Sequence, residues 1–356
     1  MQYIFEINLM TQIPIINIGP LFSQNTSKKT EVDKAIARAA FEIGFMVVVG
    51  HPKKLEVGQD QRDIMLKLFN LSEEQQRPFW KKNFASENSH IYRGWFPLSS
   101  SKAHNREGFE IGPDIVRALP SSSDNDILYE PTPIPKKSDL PQDWKKVTAK
   151  YYVGMEDIGN CILDSLSRSL SINKNIFRNA FKDGISTLRL LHYPKVTTKL
   201  NKREDLPNRY TNFQGKNYEQ VARPHVDSGL LTVLAQCGIG GLQAFTSEKK
   251  WVEVPIIDDS FSINFGGLLE LWTGRKIKAT KHRVLGQNTA RHSVPFFFEP
   301  RPSTVISPLP IKTAQKFKPF YYGDHLWATT TKFPENYGLL SLRSPRGDYT
   351  EPKINF

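Results

Sequence analysis

The spacing of apolar residues along the 356-residue chain changes near residue 185. Before that point, short apolar runs alternate with segments whose apolar residues recur every three or four positions, the period of a helix packed on one face. The predicted elements are, in order, a strand at 13–18, a helix capped by Thr30, a strand at 44–49, helices at 55–69 and from Ser72, and a long helix from Trp144 to Leu170. Gln75, three residues after Ser72, predicts a capping box.

From residue 186 onward the pattern becomes short β-like runs separated by glycine, asparagine and proline. The runs cover 186–193, 230–235, 241–245, 251–254, 261–265, 281–285 and 292–298. Short strands at such close spacing are typical of an antiparallel sandwich or jelly roll. Residues 118–143 are rich in proline and serine, and we expect them to cross the surface. The predicted fold is therefore mainly β with flanking helices (α+β).

Composition narrows the class of protein. A hydrophobic fraction of 39% is enough for a proper core, and two cysteines are too few for a disulfide framework. The net charge of +12 raises nucleic acid as a partner, but the basic pairs are scattered and lack stacking aromatics, so we expect a solvated surface instead. There is no apolar run of roughly 20 residues, and the start MQYIFEINLM resembles no leader, so we expect a cytoplasmic protein.

A candidate metal site lies in RPHVDSGLLTVL, residues 223–234. If this segment is a strand, His225 and Asp227 share one face, which suits a metal ion and equally suits an exposed polar stripe. Two histidines and one carboxylate can cap one face of an iron(II) ion. His282, on another β-like run 55 residues after Asp227, is the candidate third ligand.

A candidate anion site follows shortly after. Arg291 and Ser293 share one face of a predicted strand, and His292 takes the other. An inward arginine in a jelly-roll core is costly unless it meets an anion. A planar guanidinium beside a hydroxyl is suited to a carboxylate.

Together these motifs resemble the isopenicillin N synthase-like family of iron(II) and 2-oxoglutarate-dependent dioxygenases, whose pattern is His-x-Asp, then His, then Arg-x-Ser. Further stretches fall in the family's order: RGWFP from residue 93, EGFEIG from 107, LRLLHYP from 188, GGLQ from 240, NFG from 264, LWTG from 271 and FFFEP from 296. The resemblance implies a double-stranded β-helix (jelly roll) core. It divides the chain into an N-terminal region (11–116), a variable loop (117–143), a helical support (144–182), the double-stranded β-helix domain (183–300) and a C-terminal segment (301–356).

The resemblance also implies which residues do the chemistry. Iron would be bound by His225, Asp227 and His282, and 2-oxoglutarate by Arg291, Ser293 and Tyr193. Arg189, Phe297 and Phe109 are candidates for contact with the substrate, and a surface salt bridge is the alternative for Arg189. Gly267 and Cys237 stand where the family usually has acidic residues, which bears on the hydrogen bonds around the metal.

The implied reaction is oxidation of a small molecule, most often hydroxylation, with Fe(II), 2-oxoglutarate and O2, and with ascorbate as a possible support. LRLLHYP looks closer to microbial and fungal members, including those that oxidise a free pyrimidine base. The family is often monomeric, and neither nucleic acid nor a membrane is expected as a partner. Two alternatives stay open: a family oxidase in which Arg291 and Ser293 bind the substrate's own carboxylate, and a jelly-roll protein that binds a metabolite without catalysis.

Overall fold

The computed structural model describes residues 12–98, 106–120, 126–195, 209–312, 314 and 316–353. Its strands are β1 (Ile15–Asn17), β2 (Phe45–Val49), β3 (Gly94–Phe96), β4 (Glu107–Ile111), β5 (Thr187–Tyr193), β6 (Tyr210–Phe213), β7 (Lys216–His225), β8 (Leu231–Ala235), β9 (Leu242–Phe245), β10 (Trp251–Glu253), β11 (Phe261–Phe265), β12 (His282–Leu285), β13 (Arg291–Phe298), β14 (Val305–Ile306) and β15 (Phe320–Tyr321). Its α-helices are α1 (Thr26–Arg38), α2 (Gln59–Leu66), α3 (Glu73–Gln76), α4 (Trp144–Ser169), α5 (Asn175–Phe181), α6 (Gly267–Trp272) and α7 (Tyr322–Thr330).

Two sheets form the walls of a jelly roll, which confirms the predicted mainly β fold with flanking helices. The larger sheet has the strand order β1-β2-β11-β8-β13-β5-β4-β3, and the smaller has the order β10-β9-β12-β7-β6. Their facing sides share one buried apolar cluster, to which the larger sheet contributes Leu191 and Tyr193 and the smaller contributes Ala222 and Val284. This cluster fills the space between the two sheets. The candidate site lies next to the cluster.

The long helix α4 covers the outer face of the larger sheet. Its predicted apolar positions Tyr151, Met155, Ile158 and Ile162 are all fully buried, because they recur at the spacing that places them on one face. Glycine at 159 permits a close approach: a Cβ atom there would lie 2.5 Å from Cδ1 of Phe298 on β13. The helix therefore fixes the position of the strand that carries Arg291 and Ser293.

Several predicted elements are confirmed and others need correction. Ser72 and Gln75 form the predicted capping box of α3. Helix α1 begins earlier than predicted, because the Asn25 side chain accepts the Lys28 amide, and Thr30 lies inside the helix with its hydroxyl donating to the Thr26 carbonyl. The hairpin formed by β6 and β7 was missing from the prediction.

The proline-rich segment is also more embedded than a surface crossing. Residues 121–125 of the predicted variable loop lie outside the described ranges. Beyond them, Leu128 is buried in the core, and the Glu130 carboxylate accepts hydrogen bonds from the amides of Ile91, Tyr92 and Arg93. Among the described helices, none has the length and apolar character needed to cross a bilayer.

Candidate metal centre and co-substrate site

Two histidines and an aspartate meet at one end of the smaller sheet. His225 is the last residue of β7 and His282 the first of β12, and the two are directly opposite each other in the antiparallel register. Asp227 Oδ1 lies 3.7 Å from His225 Nε2 and 3.6 Å from His282 Nε2. One ligand atom from each residue lies within 4.8 Å of the others, a spacing that fits a single ion. The predicted triad is thus brought together.

Strand alternation, the predicted reason for pairing His225 with Asp227, is wrong. β7 ends at His225, so Asp227 lies in the loop before β8 and alternation does not place it beside the histidine. Hydrogen bonds place it instead. Thr232 Oγ1 and Asn264 Nδ2 each donate to Asp227 Oδ2 at 2.7 Å, which leaves Oδ1 for the side of the histidines.

The surroundings of the triad also set the protonation of its members. His225 Nδ1 donates to the Arg223 carbonyl at 2.7 Å and His282 Nδ1 to the Thr280 carbonyl at 3.1 Å. Because a carbonyl only accepts, Nδ1 carries the proton in each ring and Nε2 keeps its lone pair for a metal. Burial tends to raise the pKa of Asp227, but the two histidines and the hydrogen bonds from Thr232 and Asn264 lower it below its usual value.

Two residues depart from the family pattern. Gly267 lies beside the loop that carries Asp227 (the metal loop), and Cys237 lies near Arg291 of the anion site. The amide of Gly267 donates to the Asp227 carbonyl at 2.7 Å, so the backbone at this position holds the metal loop without an acidic side chain. Cys237 occupies a turn with a φ of +53° and is partly exposed.

The expected anion clamp lies on the larger sheet. Arg291 and Ser293 are almost completely buried on β13, and Tyr193 is opposite Arg291 in the register with β5. The guanidinium lies 4.9 Å from the centre of the Tyr193 ring, and its Nε donates to the Ile239 carbonyl. Neither Nη1 nor Nη2 of Arg291, nor Oγ of Ser293, has a hydrogen-bond partner among the described residues. Buried donors without partners are costly, so this group is suited to a bound carboxylate such as that of 2-oxoglutarate.

A cavity of about 120 Å³ opens beside the metal loop. One wall is formed by His225 at the end of β7, residues 227–230 of the loop and the first two residues of β8, and the other walls come from β4, β5, the end of β13 and the C-terminal segment. Arg189 and Phe297, two of the candidates for contact with the substrate, line this cavity, with the guanidinium 4.8 Å from the centre of the Phe297 ring. Phe109 does not line it. It is opposite Leu190 in the sheet and packs into the core beside Trp95, so its neighbour Glu110 is the β4 residue that reaches the cavity.

Sequence reasoning missed most of the charged side chains around this cavity. Glu110 forms ion pairs with Lys81 and with Arg189, whose Nε donates at 2.9 Å. Burial tends to raise the pKa of Glu110, but the two cations lower it and the carboxylate stays ionised. The available signal was strand parity, since Glu110 is opposite Arg189 in the register.

The C-terminal segment closes the opposite wall, which no motif indicated. Glu335 accepts from Arg106 Nη2 at 2.8 Å, and Asn336 accepts from Lys81 Nζ at 3.1 Å. Glu335 and Asn336 belong to a short 3-10 helix, Pro334–Asn336, and both are buried. The cavity is therefore lined by charged groups that are largely paired with one another.

The chain is similar to known proteins in both sequence and structure. The 2OG-Fe(II) oxygenase superfamily model matches residues 188–300, and the N-terminal model of the non-haem dioxygenases in morphine synthesis matches residues 13–137. A 2-oxoglutarate-Fe(II) type oxidoreductase of Emericella nidulans is 24% identical over 84% of this chain and 83% of its own. Isopenicillin N synthase of Amycolatopsis lactamdurans is 25% identical over 93% of this chain and 96% of its own.

Solved structures agree in fold. A full-length Neurospora crassa protein in complex with alpha-KG superimposes with a TM-score of 0.74, at 21% identity, over 92% of this chain and 98% of its own. A 2OG-Fe(II) oxygenase family protein of Caulobacter crescentus gives a TM-score of 0.71 at 19% identity, over 91% and 100% of the two chains. With both matched regions in the expected order and this fold around a His-Asp-His cluster, the chain belongs to the 2OG-Fe(II) oxygenase superfamily and is an oxidoreductase that uses Fe(II), 2-oxoglutarate and O2 on a small molecule.

Proposed function

We propose that the protein hydroxylates a C–H bond of a small molecule. In this reaction one oxygen atom of O2 enters the product, and the other enters the succinate that is formed with CO2 from 2-oxoglutarate. The observation that carries the proposal is the buried guanidinium of Arg291, whose Nη1 and Nη2 have no hydrogen-bond partner among the described residues. It lies beside Ser293 on a β-sheet that faces the one bearing His225 and His282. The metal ligands alone are compatible with many activities. An arginine and a serine that can bind a carboxylate, on the facing sheet of the same jelly roll, are suited to a dicarboxylate co-substrate.

For the metal we propose the ligands His225, Asp227 and His282. Fe(II) held there supplies the oxidising chemistry when the co-substrate and O2 are bound. The protein's own part is to keep both Nε2 atoms unprotonated and to aim one carboxylate oxygen at the same point. The hydrogen bonds at Nδ1 of each histidine and at Oδ2 of the aspartate support that role.

For 2-oxoglutarate we propose Arg291, Ser293 and Tyr193. The two free nitrogens of the guanidinium and the serine hydroxyl can donate to the far carboxylate, and the tyrosine supports the guanidinium from the neighbouring strand. We assign contact with the primary substrate to Arg189 and Phe297, both of which line the cavity beside the metal loop.

The test is consumption of 2-oxoglutarate by purified protein with Fe(II), ascorbate and a panel of small molecules. We expect consumption above background even without the right substrate, because such enzymes turn over slowly without it. His282→Ala removes one metal ligand and should abolish consumption, whereas His90→Ala, a histidine outside the site, should leave it unchanged. Equal consumption by wild type and His282→Ala would refute the proposed metal site.

One observation favours a second candidate. The relative isopenicillin N synthase, an oxidase, is 25% identical over 93% of this chain. In that case Arg291 and Ser293 would bind the substrate's own carboxylate. Titration of the Fe(II)-loaded protein with 2-oxoglutarate, without oxygen, separates the two candidates: saturable binding supports the dioxygenase, and no binding supports the oxidase.

Free pyrimidine bases are the first substrates to test. The structures of the Neurospora crassa protein include complexes with thymine and with 5-formyluracil, at 22% and 23% identity to this chain. The cavity of about 120 Å³ is small, which suits a single small ring. A hydroxylated product of thymine, detected by mass spectrometry and absent with His282→Ala, would identify the substrate.

Finally, we propose that residues 183–300 form the catalytic domain, supported by the N-terminal region 11–116, the loop 117–143 and the helices of 144–182, and followed by the segment 301–356. We further propose a monomer in the cytoplasm that does not bind nucleic acid. Sedimentation of the full chain with and without duplex DNA, at low salt, tests both the mass and the binding.

A further inference from the structure

Glu299 is a buried carboxyl group at the end of the cavity that the proposed chemistry leaves unused. It follows β13 directly, is 6% exposed, and lines the cavity together with the metal loop. Its Oε1 lies 3.8 Å from the place that a Cβ atom would take at Gly229, two residues beyond Asp227. The backbone of Glu299 is fixed, because its amide donates to Ser186 Oγ at 3.0 Å. The carboxyl is thus held at the cavity, close to the metal loop.

Unlike Glu110 and Glu335, the other glutamates of the cavity, Glu299 has no ion pair among the described residues. Glu110 is paired with Lys81 and Arg189, and Glu335 with Arg106. The hydrogen bond that Glu299 Oε2 accepts from Thr187 Oγ1 is long, at 3.4 Å. Nearby Arg93 forms its hydrogen bonds elsewhere: its Nη1 donates to Thr187 Oγ1 and its Nη2 to the Ile185 carbonyl, while its Nε has no partner among the described residues.

A buried carboxyl without a counter-ion favours its neutral form. Burial raises the pKa of Glu299 to about 7, even though Arg93, the Tyr322 hydroxyl, Arg189 and the Thr187 hydroxyl act in the opposite direction. The titratable and charged side chains that face it are Tyr92, Arg93, Tyr152, Arg189 and Tyr322. In the neutral form its O–H group donates and its C=O group accepts, side by side.

That pair of groups has one natural complement. An amide edge offers an N–H donor next to a carbonyl acceptor, so it can form two hydrogen bonds with a neutral carboxyl group at once. A cationic ligand is disfavoured, because Arg93 and Arg189 face the same carboxyl group. A carboxylate ligand is also disfavoured, because Glu299 has no hydrogen-bond donor to offer it once Glu299 is ionised.

We propose that Glu299 is a specificity-determining residue that binds the amide edge of a neutral substrate, accepting from its N–H and donating to its carbonyl oxygen. The inference rests on the proposed function, because it assigns the substrate class of the same cavity: lactams, cyclic imides and carboxamides. Arg189 and Phe297 form the adjoining wall, against which a flat ring fits.

The test is direct binding, measured by calorimetry without oxygen on full-length protein loaded with Fe(II) and 2-oxoglutarate. The probes are three amides (thymine, 2-pyridone and nicotinamide), 1,3-dimethylthymine, which has no N–H, benzoate and benzylammonium. We expect at least one amide to bind, and expect dimethylthymine, benzoate and benzylammonium to bind far more weakly. If no amide binds, or if benzoate or benzylammonium binds best, the inference is overturned.

Two variants assign the effect to this side chain. Glu299→Gln keeps one donor and one acceptor and should retain the affinity for the amide, whereas Glu299→Met, which is similar in size but apolar, should weaken it by about tenfold to a hundredfold. Wild-type affinity should fall as the pH rises through about 7, since ionisation removes the donor, and Glu299→Gln should not show this fall. Glu31→Gln, an exposed acid on α1, is the control.

The two proposals fail in different ways. Binding of 2-oxoglutarate to the Fe(II)-loaded protein does not require Glu299. If 2-oxoglutarate does not bind, that result counts against the proposed function alone. If 2-oxoglutarate binds normally in all variants while Glu299→Met keeps the wild-type affinity for the amide, only the role of Glu299 is refuted.

Discussion

Thr232 and Asn264 both donate to the same oxygen of Asp227, and this leaves the other oxygen on the side of the histidines. Residues that orient a metal ligand commonly change metal affinity as much as some ligands do. We therefore predict that Thr232→Val weakens Fe(II) binding by about tenfold to a hundredfold. Titration of the metal-free protein with Fe(II) measures this, and Thr30→Val, on the exposed side of α1, is the matched control. An unchanged dissociation constant would show that Asn264 alone is enough.

Arg291 presents two nitrogens without partners among the described residues, and Ser293 one such hydroxyl. Hydrogen bonds to charged groups are worth more than neutral ones, so the two residues should contribute unequally. We predict that Arg291→Gln raises the KM for 2-oxoglutarate by about a hundredfold, and Ser293→Ala by about fivefold. The KM for the primary substrate should change little in either variant. The opposite ranking would contradict the charge argument, and a change in the KM for the primary substrate alone would favour the oxidase candidate.

At the scale of elements, the contact between α4 and β13 is unusually close. A Cβ atom at residue 159 would meet the ring of Phe298, which is itself buried against Phe181. Alanine is a better helix former than glycine by about 1 kcal/mol, but overpacking of a core costs about 1–3 kcal/mol. We predict that Gly159→Ala lowers the free energy of unfolding in spite of its helix propensity, as measured by urea denaturation. Val153→Ala, at an exposed position of α4, should be close to neutral, and a stabilised Gly159→Ala protein would contradict the packing argument.

The elements that the sequence predicted are those with a regular buried face. Helix α4 and six strands of the larger sheet (β1, β2, β5, β8, β11 and β13) agree with prediction to within one or two residues, because their apolar residues recur regularly. Strands β3 and β4 of the same sheet were not predicted. Strand β6 has no fully buried residue, and β7 is exposed at its start. Their period-2 signal was therefore too weak for detection.

The same distinction applies to the candidate site, whose metal and co-substrate residues were predicted from the sequence and whose substrate cavity mostly was not. His225, Asp227, His282, Arg291 and Ser293 lie in short motifs whose residue types indicate their chemistry. The substrate cavity instead depends on contacts between distant segments, such as that between Lys81 and Asn336, 255 residues apart. A lysine or asparagine in a loop carries no local sign of such a partner.

At the scale of the whole molecule, buried ion pairs tie the C-terminal segment to the rest of the protein. Arg343 donates to both oxygens of Asp126 and to Asp324, and all three side chains are almost fully buried. A few residues earlier in the same segment, Glu335 and Asn336 form one wall of the cavity. Loss of the Arg343 pairs should therefore loosen the cavity as well as the fold.

We predict that Arg343→Met lowers the free energy of unfolding by about 3–5 kcal/mol at neutral pH, because it removes the buried cation that pairs with both Asp126 and Asp324. The substrate KM should rise in the same variant, since its cavity wall is less firmly held. Urea denaturation at pH 7 measures the first effect. Lys318→Met, which breaks an exposed pair with Asp348, is the control and should change little.

The pH dependence of this difference tests its electrostatic origin. Burial tends to raise the pKa of Asp126, but hydrogen bonds from Arg343 and Leu128 lower it below its usual value. A carboxyl with a lowered pKa in the folded state stabilises the protein above its unfolded pKa of about 4, and this contribution is lost as the pH falls through the folded value. In Arg343→Met the Leu128 amide and Arg346 still favour the ionised form of Asp126, but the hydrogen bonds from Arg343 are lost and burial weighs more heavily against ionisation. Protonation of Asp126 therefore costs the variant less stability than it costs the wild type. The difference in unfolding free energy should therefore shrink as the pH falls from 7 to below about 4. If it stays constant across that range, lost packing of the arginine, and not its charge, accounts for the destabilisation.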